Sequence, residues 1–434
     1  MLWMTVGYLF LFIFRPWEYW PALAPYRIER VYMLFLLALV FLWRQRRYIP
    51  HRITGWIIAF FLVLGLSTIM AYRWGDAYEA WFDYFKLIVF YFVIIMTVRD
   101  EKDLKRFITA YILIMFIYIG KSAWEFFFHD RYIWRMGLRR LMGVDISYGD
   151  PNAIAASIAY SLPFLWALIK YGLEKPFLRK ALWAYGILAW VSIIYTGSRS
   201  GMVTALLFVA LVWLGASRKV MSVLAVGMVL FLTWHFMPVK YQVRFESTFI
   251  KGISPKGTDE SAQGRIEGLK QGIRTFARYP VFGIGPGNFK YAWSKYGLGG
   301  SAHNLYGELL GETGGAGFVV FFALVILIVK THKAIIRKTG LLLADARGDT
   351  PQEEVRKWRM LRLVSTASVQ AIILLLFNGN FGHNLYRYNW LWIGAIGVLS
   401  AYFLKDAPVR VSTAYRIETR SPGHPGFNVL HEKN

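Results

Sequence analysis

The sequence predicts an all-α, polytopic membrane protein with about twelve transmembrane helices and one large polar loop late in the chain. Three observations predict it. Of the 434 residues, 56% are hydrophobic and only 18% charged, against about 25% charged in an ordinary soluble domain. The apolar residues come in blocks, and a bilayer-spanning helix needs roughly 17–25 of them. Trp, Tyr and Phe are abundant and many stand at block edges, where an aromatic belt sits.

Taken in order, the apolar blocks predict spans at 2–14, 31–43, 54–71, 84–98, 107–120, 153–169, 181–196, 202–215, 219–236, 316–330, 362–377 and 389–404. The first reads as a retained helix, because no cleavage pattern follows it. Several blocks are short, so those helices begin earlier, tilt or re-enter. With residue 1 on the cytoplasmic side, the connections on that side carry Arg44, Arg46, Arg47 and Arg52, then Arg99, Lys102, Lys105 and Arg106, then Lys170, Lys175, Arg179 and Lys180. The opposite connections are poorer: 72–83 holds only Arg73 and 378–388 only Arg387. That asymmetry places the basic set and both termini in the cytoplasm. The loop 121–150 runs against it, with Lys121, Arg131, Arg135, Arg139 and Arg140 on the outer side.

The organisation that follows is 1–236 with nine spans, a polar loop at 237–315, and 316–404 with three spans and a charged linker near 331–361 flanked by short helices. A tail at 405–434, rich in Pro and Gly, completes it and reads as mostly disordered. By the span count the loop 237–315 faces away from the cytoplasm. It carries ten basic against six acidic residues. Ile266, Leu269, Ile273 and Phe276 repeat at helical spacing, which predicts a helix along the membrane surface that Pro280 ends.

The net charge of +24 suggests nucleic acid in a soluble protein. Here cytoplasmic loops account for much of it, and nucleic-acid binding is not expected. The absence of Cys excludes disulfides, thiolate catalysis and Cys-ligated metals. No HExxH, paired Asp motif or Ser-His-Asp set is present, so neither a metal nor a cofactor is expected.

What carries chemistry lies between the blocks. Thr196-Gly-Ser-Arg199-Ser-Gly201 is a very short turn, so Arg199 stands at or near membrane depth, where an unpaired cation is costly. Beside a helix N-terminus it forms a phosphate site; the other open reading is an arginine that snorkels to headgroups or bridges helices. Gly264-Arg265 opens the surface helix, and its guanidinium fork suits phosphate oxygens; a solvated helix face is the alternative. Gly283-x-Gly285-x-Gly287 lacks the strand and acidic residue of a dinucleotide fingerprint and reads as turn structure. His303 follows Ser301, a suitable N-cap, and is predicted in the first turn of a helix. There the imidazole is favoured neutral, the form a general base needs; a histidine capping its own helix is equally open. His303-Asn-Leu-Tyr306 recurs as His383-Asn-Leu-Tyr386, by chance or as two outward helix ends.

At these residues the chain resembles the O-antigen ligase and polymerase superfamily of bacterial inner membranes. The resemblance rests on Gly149-Asp-Pro-Asn152, Thr196-Gly-Ser-Arg199-Ser-Gly, Gly264-Arg265, Pro280-Val-Phe-Gly283-Ile-Gly285-Pro-Gly287-Asn-Phe289, and Ala302-His303-Asn304-Leu305 followed by Glu312-Thr-Gly314-Gly. It implies an inverting, metal-independent glycosyltransferase with its active site on the periplasmic face. The donor would be a glycan on undecaprenyl diphosphate, and the acceptor a hydroxyl of lipid A-core, a protein or a growing glycan. Carried onto this chain, Arg199 and Arg265 would hold the diphosphate and His303 would deprotonate or orient the acceptor. Asn152, Arg274, Arg278, Asn304 and His383 are the secondary candidates. The alternatives are a polysaccharide polymerase of the same superfamily, a transporter or flippase for a lipid-linked solute, and a scaffold of an envelope assembly.

Overall fold

A computed structural model describes residues 1–145, 149–216, 219–247, 258–294 and 302–405. The predicted tail at 406–434, the N-cap assigned to Ser301 and the stretch 248–257 lie outside these residues. In chain order the helices are α1 (Leu2–Phe14), α2 (Pro16–Tyr19), α3 (Ile28–Leu42), α4 (Arg52–Ile69), α5 (Trp74–Thr97) and α6 (Glu101–Phe128). A hairpin of β1 (Tyr132–Arg135) and β2 (Leu138–Leu141) follows. Then come α7 (Pro151–Tyr171), α8 (Pro176–Thr196), α9 (Arg199–Leu214), α10 (Lys219–Phe236), α11 (Val239–Glu246), α12 (Thr258–Arg278) and α13 (Phe289–Ser294). The last three are α14 (Leu305–Ala344), α15 (Gln352–Asn378) and α16 (Asn389–Phe403).

Each predicted span falls on a helix. Eight helices among the described residues, α4 to α8, α10, α14 and α15, are long and apolar enough to cross a membrane. The chain is therefore an all-α, multi-pass membrane protein. Helix ends depart from the expected edges where polar residues prolong a helix beyond its apolar run. The Asp100 carboxylate accepts from Asp103 N at 2.7 Å and starts α6 in charged sequence. Likewise the charged stretch 331–361 is mostly helix: α14 and α15 continue into it, leaving only 345–351, around Gly348 and Pro351, as the connection. The hairpin was not foreseen, because four-residue strands carry too little alternation to register.

α14 is broken at Gly314, whose backbone (φ 62°, ψ −162°) is not helical. Only glycine fits: its φ is left-handed and a Cβ there would overlap the Val281 carbonyl and Gly283 N. Residues 315–344 then run on for roughly 45 Å. Around this helix pack α4, α12, α15 and α16. α16 is short but buried along nearly all its length, and its Trp390 meets Phe321 of α14 edge-on at 5.1 Å. α7 packs on α15, α8 and α9.

Chain alternation and cross-contacts sort the helix ends into two sets. At one end Arg356 pairs with Glu174 at 2.8 Å and Lys338 Nζ donates to Leu404 O at 2.6 Å. At the other, Leu305 N donates to Gly379 O at 2.7 Å and Tyr72 N to Ile284 O at 3.0 Å. The hairpin, α11, α12 and α13 all gather at this second end.

Candidate active site

The turn between α8 and α9 is the first wall. Gly197 ends α8 in the left-handed region (φ 56°). Ser198 caps α9, its Oγ accepting from Gly201 N at 3.2 Å. Arg199 is the first residue of α9 and is half-buried. Two further arginines brace the turn from outside. Arg140 of β2, 1% exposed, donates Nε to Thr196 O at 2.6 Å and Nη2 to Asn152 Oδ1 at 2.9 Å. Arg244 of α11, 4% exposed, donates Nε to Gly197 O. The carbonyl end of α8 carries partial negative charge, so it suits two guanidinium groups. Burial lowers Arg140 to about 10 and Arg244 to about 9, which leaves both charged at neutral pH.

α12 is the second wall, and glycines seat it. A Cβ on Gly268 would overlap the Ala302 carbonyl, and one on Gly272 would overlap the backbone of Gly307. Small residues four apart let the backbones of α12 and α14 touch. The guanidinium of Arg265 lies over the Phe381 ring at 5.6 Å. Burial lowers its pKa, and the charge of Arg199 lowers it further. Arg244 is depressed by burial and then by Arg140, Arg199, Arg265 and Arg135. These arginines therefore form one cluster, within electrostatic reach of each other.

His303 closes the site. It does not stand in the first turn of α14: Asn304 is the N-cap, its Oδ1 accepting from Tyr306 N and Gly307 N at 3.0 Å each. His303 precedes the cap with φ 46°, in the left-handed region. The residue is exposed, with neighbouring protein crowding part of its surroundings. Its pKa is lowered first by burial and then by Arg265, with Asp150 opposing and Arg135 adding. So the neutral form expected from a helix dipole is favoured instead by partial desolvation and nearby guanidinium charge.

The repeated tetrapeptide brings two segments together. The rings of His303 and His383 lie 5.7 Å apart, centroid to centroid. Asn304 Nδ2 donates to Asn380 O at 3.4 Å and Tyr306 Oη to Leu376 O at 2.9 Å. In return Tyr386 Oη donates to Glu312 Oε2 of α14 at 2.6 Å. His383 is exposed too; crowding by protein, then Arg387 and His303, lower its pKa, with Asp150 opposing.

The glycine loop is scaffold. Gly283, Gly285 and Gly287 all have positive φ. The buried Glu312 carboxylate accepts from Gly287 N at 2.9 Å and Phe289 N at 3.0 Å, and Ser67 Oγ donates to Phe282 O at 2.6 Å. The loop thereby locks onto the break in α14.

Arg199, Arg265 and His303 thus share one end of the bundle, with Asn152 tied in through Arg140 and His383 through His303. Two secondary candidates stand apart: Arg274 and Arg278 occupy the exposed face of α12, and Arg274 pairs with Glu267 at 3.0 Å. The side chain of Asn304 is engaged as a cap. Sequence reasoning passed over Arg140, Arg135 and Asp150 as site residues. The hint was the basic outer loop 121–150, whose cations contradicted the charge bias. Asp150 caps α7, accepting from Asn152 N at 2.8 Å, and pairs with Arg135 at 3.8 Å.

A family model described as O-antigen ligase matches residues 184–322, from within α8 to the middle of α14. The matched stretch holds Arg199, Arg244, Arg265 and His303. No curated protein matches the chain.

Proposed function

Within the O-antigen ligase and polymerase superfamily, which the matched domain supports for this chain, we propose that the protein is a ligase. It moves a glycan from undecaprenyl diphosphate to an acceptor hydroxyl, that of lipid A-core or a comparable glycolipid, at the periplasmic face of the bacterial inner membrane. What supports this reading is that Arg199, Arg265 and His303 lie at one end of the bundle, with Arg265 within electrostatic reach of both the others.

The chemistry follows from the residue types. The guanidinium groups of Arg199 and Arg265 hold the diphosphate oxygens. A ring nitrogen of His303 accepts the proton of the acceptor hydroxyl. The freed oxygen attacks the anomeric carbon from the face opposite the diphosphate. As that bond forms, the bond from the anomeric carbon to the phosphate oxygen breaks, and its electron pair stays on the diphosphate. Configuration at the anomeric carbon inverts. Negative charge grows on the leaving group during this step, and the arginines are already in place to stabilise it.

The test is transfer by purified protein in liposomes, using lipid-linked glycan and lipid A-core extracted from the host strain. Product formed without a membrane gradient supports a transferase and counts against a transporter. In a deletion strain, polymer retained on its lipid carrier beside bare acceptor marks a ligase. A single repeat unit on the acceptor marks a polymerase instead.

A further inference from the structure

We propose that the cavity enclosed by the hairpin and by α6, α8 and α11 is an acceptor subsite that takes the phosphorylated sugar head of the acceptor glycolipid. This rests on the transferase reading above. The cavity has a volume of about 290 Å³, and its lining does not include Arg199, Arg265 or His303. Small-molecule sites begin at about 300 Å³, so it admits one sugar ring with its substituent and not an extended chain.

Aromatic rings form most of the wall. Phe126 and Phe127 come from α6, Trp134 from β1, Tyr195 from α8 and Tyr241 from α11. Tyr195 is the hub: its ring meets Phe127 edge-on at 4.9 Å and Tyr241 at 5.3 Å. Such rings offer an apolar face to the C–H side of a sugar while their polar ends stay wet. The polar part of the lining is basic. Arg139 lies over the Tyr132 ring at 4.2 Å and is matched by Asp130. Lys240 is exposed and has no carboxylate partner among the described residues. No Asp, Glu or His lines the cavity. It therefore offers one unmatched cation to an anionic group and no carboxylate or imidazole to act as a base.

The rim and the neighbouring turn identify the occupant. Phe128 at the end of α6, Phe236 at the end of α10 and Val239 at the start of α11 are all exposed. Apolar and aromatic side chains at helix ends mark the level of lipid headgroups. A ligand bound here keeps its apolar part in the bilayer and its anionic head in the cavity. The cavity also adjoins the catalytic turn. Tyr195 immediately precedes Thr196, whose carbonyl Arg140 holds, and Leu138 of the cavity wall packs beside Gly197. A glycolipid anchored here presents its glycan to the turn that carries Arg199, whereas an ordinary phospholipid has nothing to present.

The experiment uses the full chain in phosphatidylcholine nanodiscs. Binding is measured in an H303A background, so that no turnover intervenes. The probes are the host strain's lipid A-core, the same lipid with its phosphates removed, and phosphatidylglycerol. The variants are W134A, K240Q, K240R and W134A/K240Q; both positions are exposed, and thermal midpoints check folding. The double variant should bind lipid A-core at least about tenfold more weakly, the scale of one lost charge-assisted hydrogen bond. K240R should bind as wild type does. Removing the phosphates should weaken binding to the wild-type cavity but change little in K240Q. With His303 restored, acceptor KM should rise by the same factor, while kcat and donor KM stay within about twofold, the mark of lost ground-state binding. Unchanged acceptor binding in W134A/K240Q overturns the subsite. So does phosphatidylglycerol that binds as tightly as lipid A-core, which marks a site for bulk membrane lipid. If H303A itself transfers at the wild-type rate, the transferase reading has failed, which is a different outcome.

Discussion

Arg140 Nε donates to Thr196 O at 2.6 Å, so a buried guanidinium from the hairpin holds the last carbonyl of α8. The turn that carries Arg199 is thereby fixed from behind by a residue outside the matched family stretch.

Replacing this anchor gives the first prediction. Arg140→Ala removes two hydrogen bonds to a charged group, each contributing about 1.5–3 kcal/mol. It should lower the thermal midpoint of the purified protein by several degrees and weaken pyrophosphate binding, because Arg199 loses its fixed base. Arg140→Lys should recover only part of either. An unchanged midpoint and unchanged binding in Arg140→Ala would remove the hairpin from the account.

The glycine contacts of α12 give a sharp contrast. Gly272→Leu forces α12 away from Gly307, whereas Gly264 has nothing near its missing Cβ. Gly272→Leu should cut transfer on the order of a hundredfold, the scale expected when catalytic groups shift by about 1 Å. Gly264→Ala should be nearly silent. Transfer assays at matched protein levels check both, and equal effects at the two positions would contradict the close packing.

Glu312 is predicted to act through structure. Its carboxylate takes the N–H groups of Gly287 and Phe289. Glu312→Leu leaves both unpaired at a cost on the order of 2–5 kcal/mol in total. The expected outcome is poor accumulation in membranes and faster proteolysis of the 280–289 loop, with Glu312→Gln milder. Normal accumulation of Glu312→Leu would show that the loop is held by something else.

The pH dependence has a definite sign. His303 sits below the ordinary histidine pKa because of burial and nearby cations. Its neutral, proton-accepting form therefore persists below about pH 6.5, and transfer falls off only as the pH drops further. Arg135→Gln removes one of the depressing charges. It should raise the His303 pKa and move the acid limb of kcat/KM to higher pH. A limb that stays put, or moves down, argues against His303 as the titrating base.

Spans such as 54–71 were legible because a bilayer demands long apolar runs, and nothing else in the chain competes with that signal. Their ends were not: α5 starts at Trp74, well before the apolar block at 84, since amphipathic turns extend a helix without raising hydropathy. Arg199, Arg265 and His303 stand out as candidates by their chemistry and neighbours, and the fold brings them to one end of the bundle. The helix position of His303 was misjudged because a cap depends on backbone geometry, and Asn304 provides it. Arg140 and the meeting of His303 with His383 depend on tertiary contacts that no local pattern encodes. The recurrence of His-Asn-Leu-Tyr is plain in the sequence, but only the fold brings the two copies together.

The most direct measurement is transfer and donor binding in Arg199→Ala, Arg265→Ala and His303→Ala, each at wild-type protein level in liposomes. The account predicts that the arginine variants lose binding of the lipid-linked diphosphate along with transfer. His303→Ala should still bind donor but turn over at least about a hundredfold more slowly. Transfer at the wild-type rate in all three variants would contradict it.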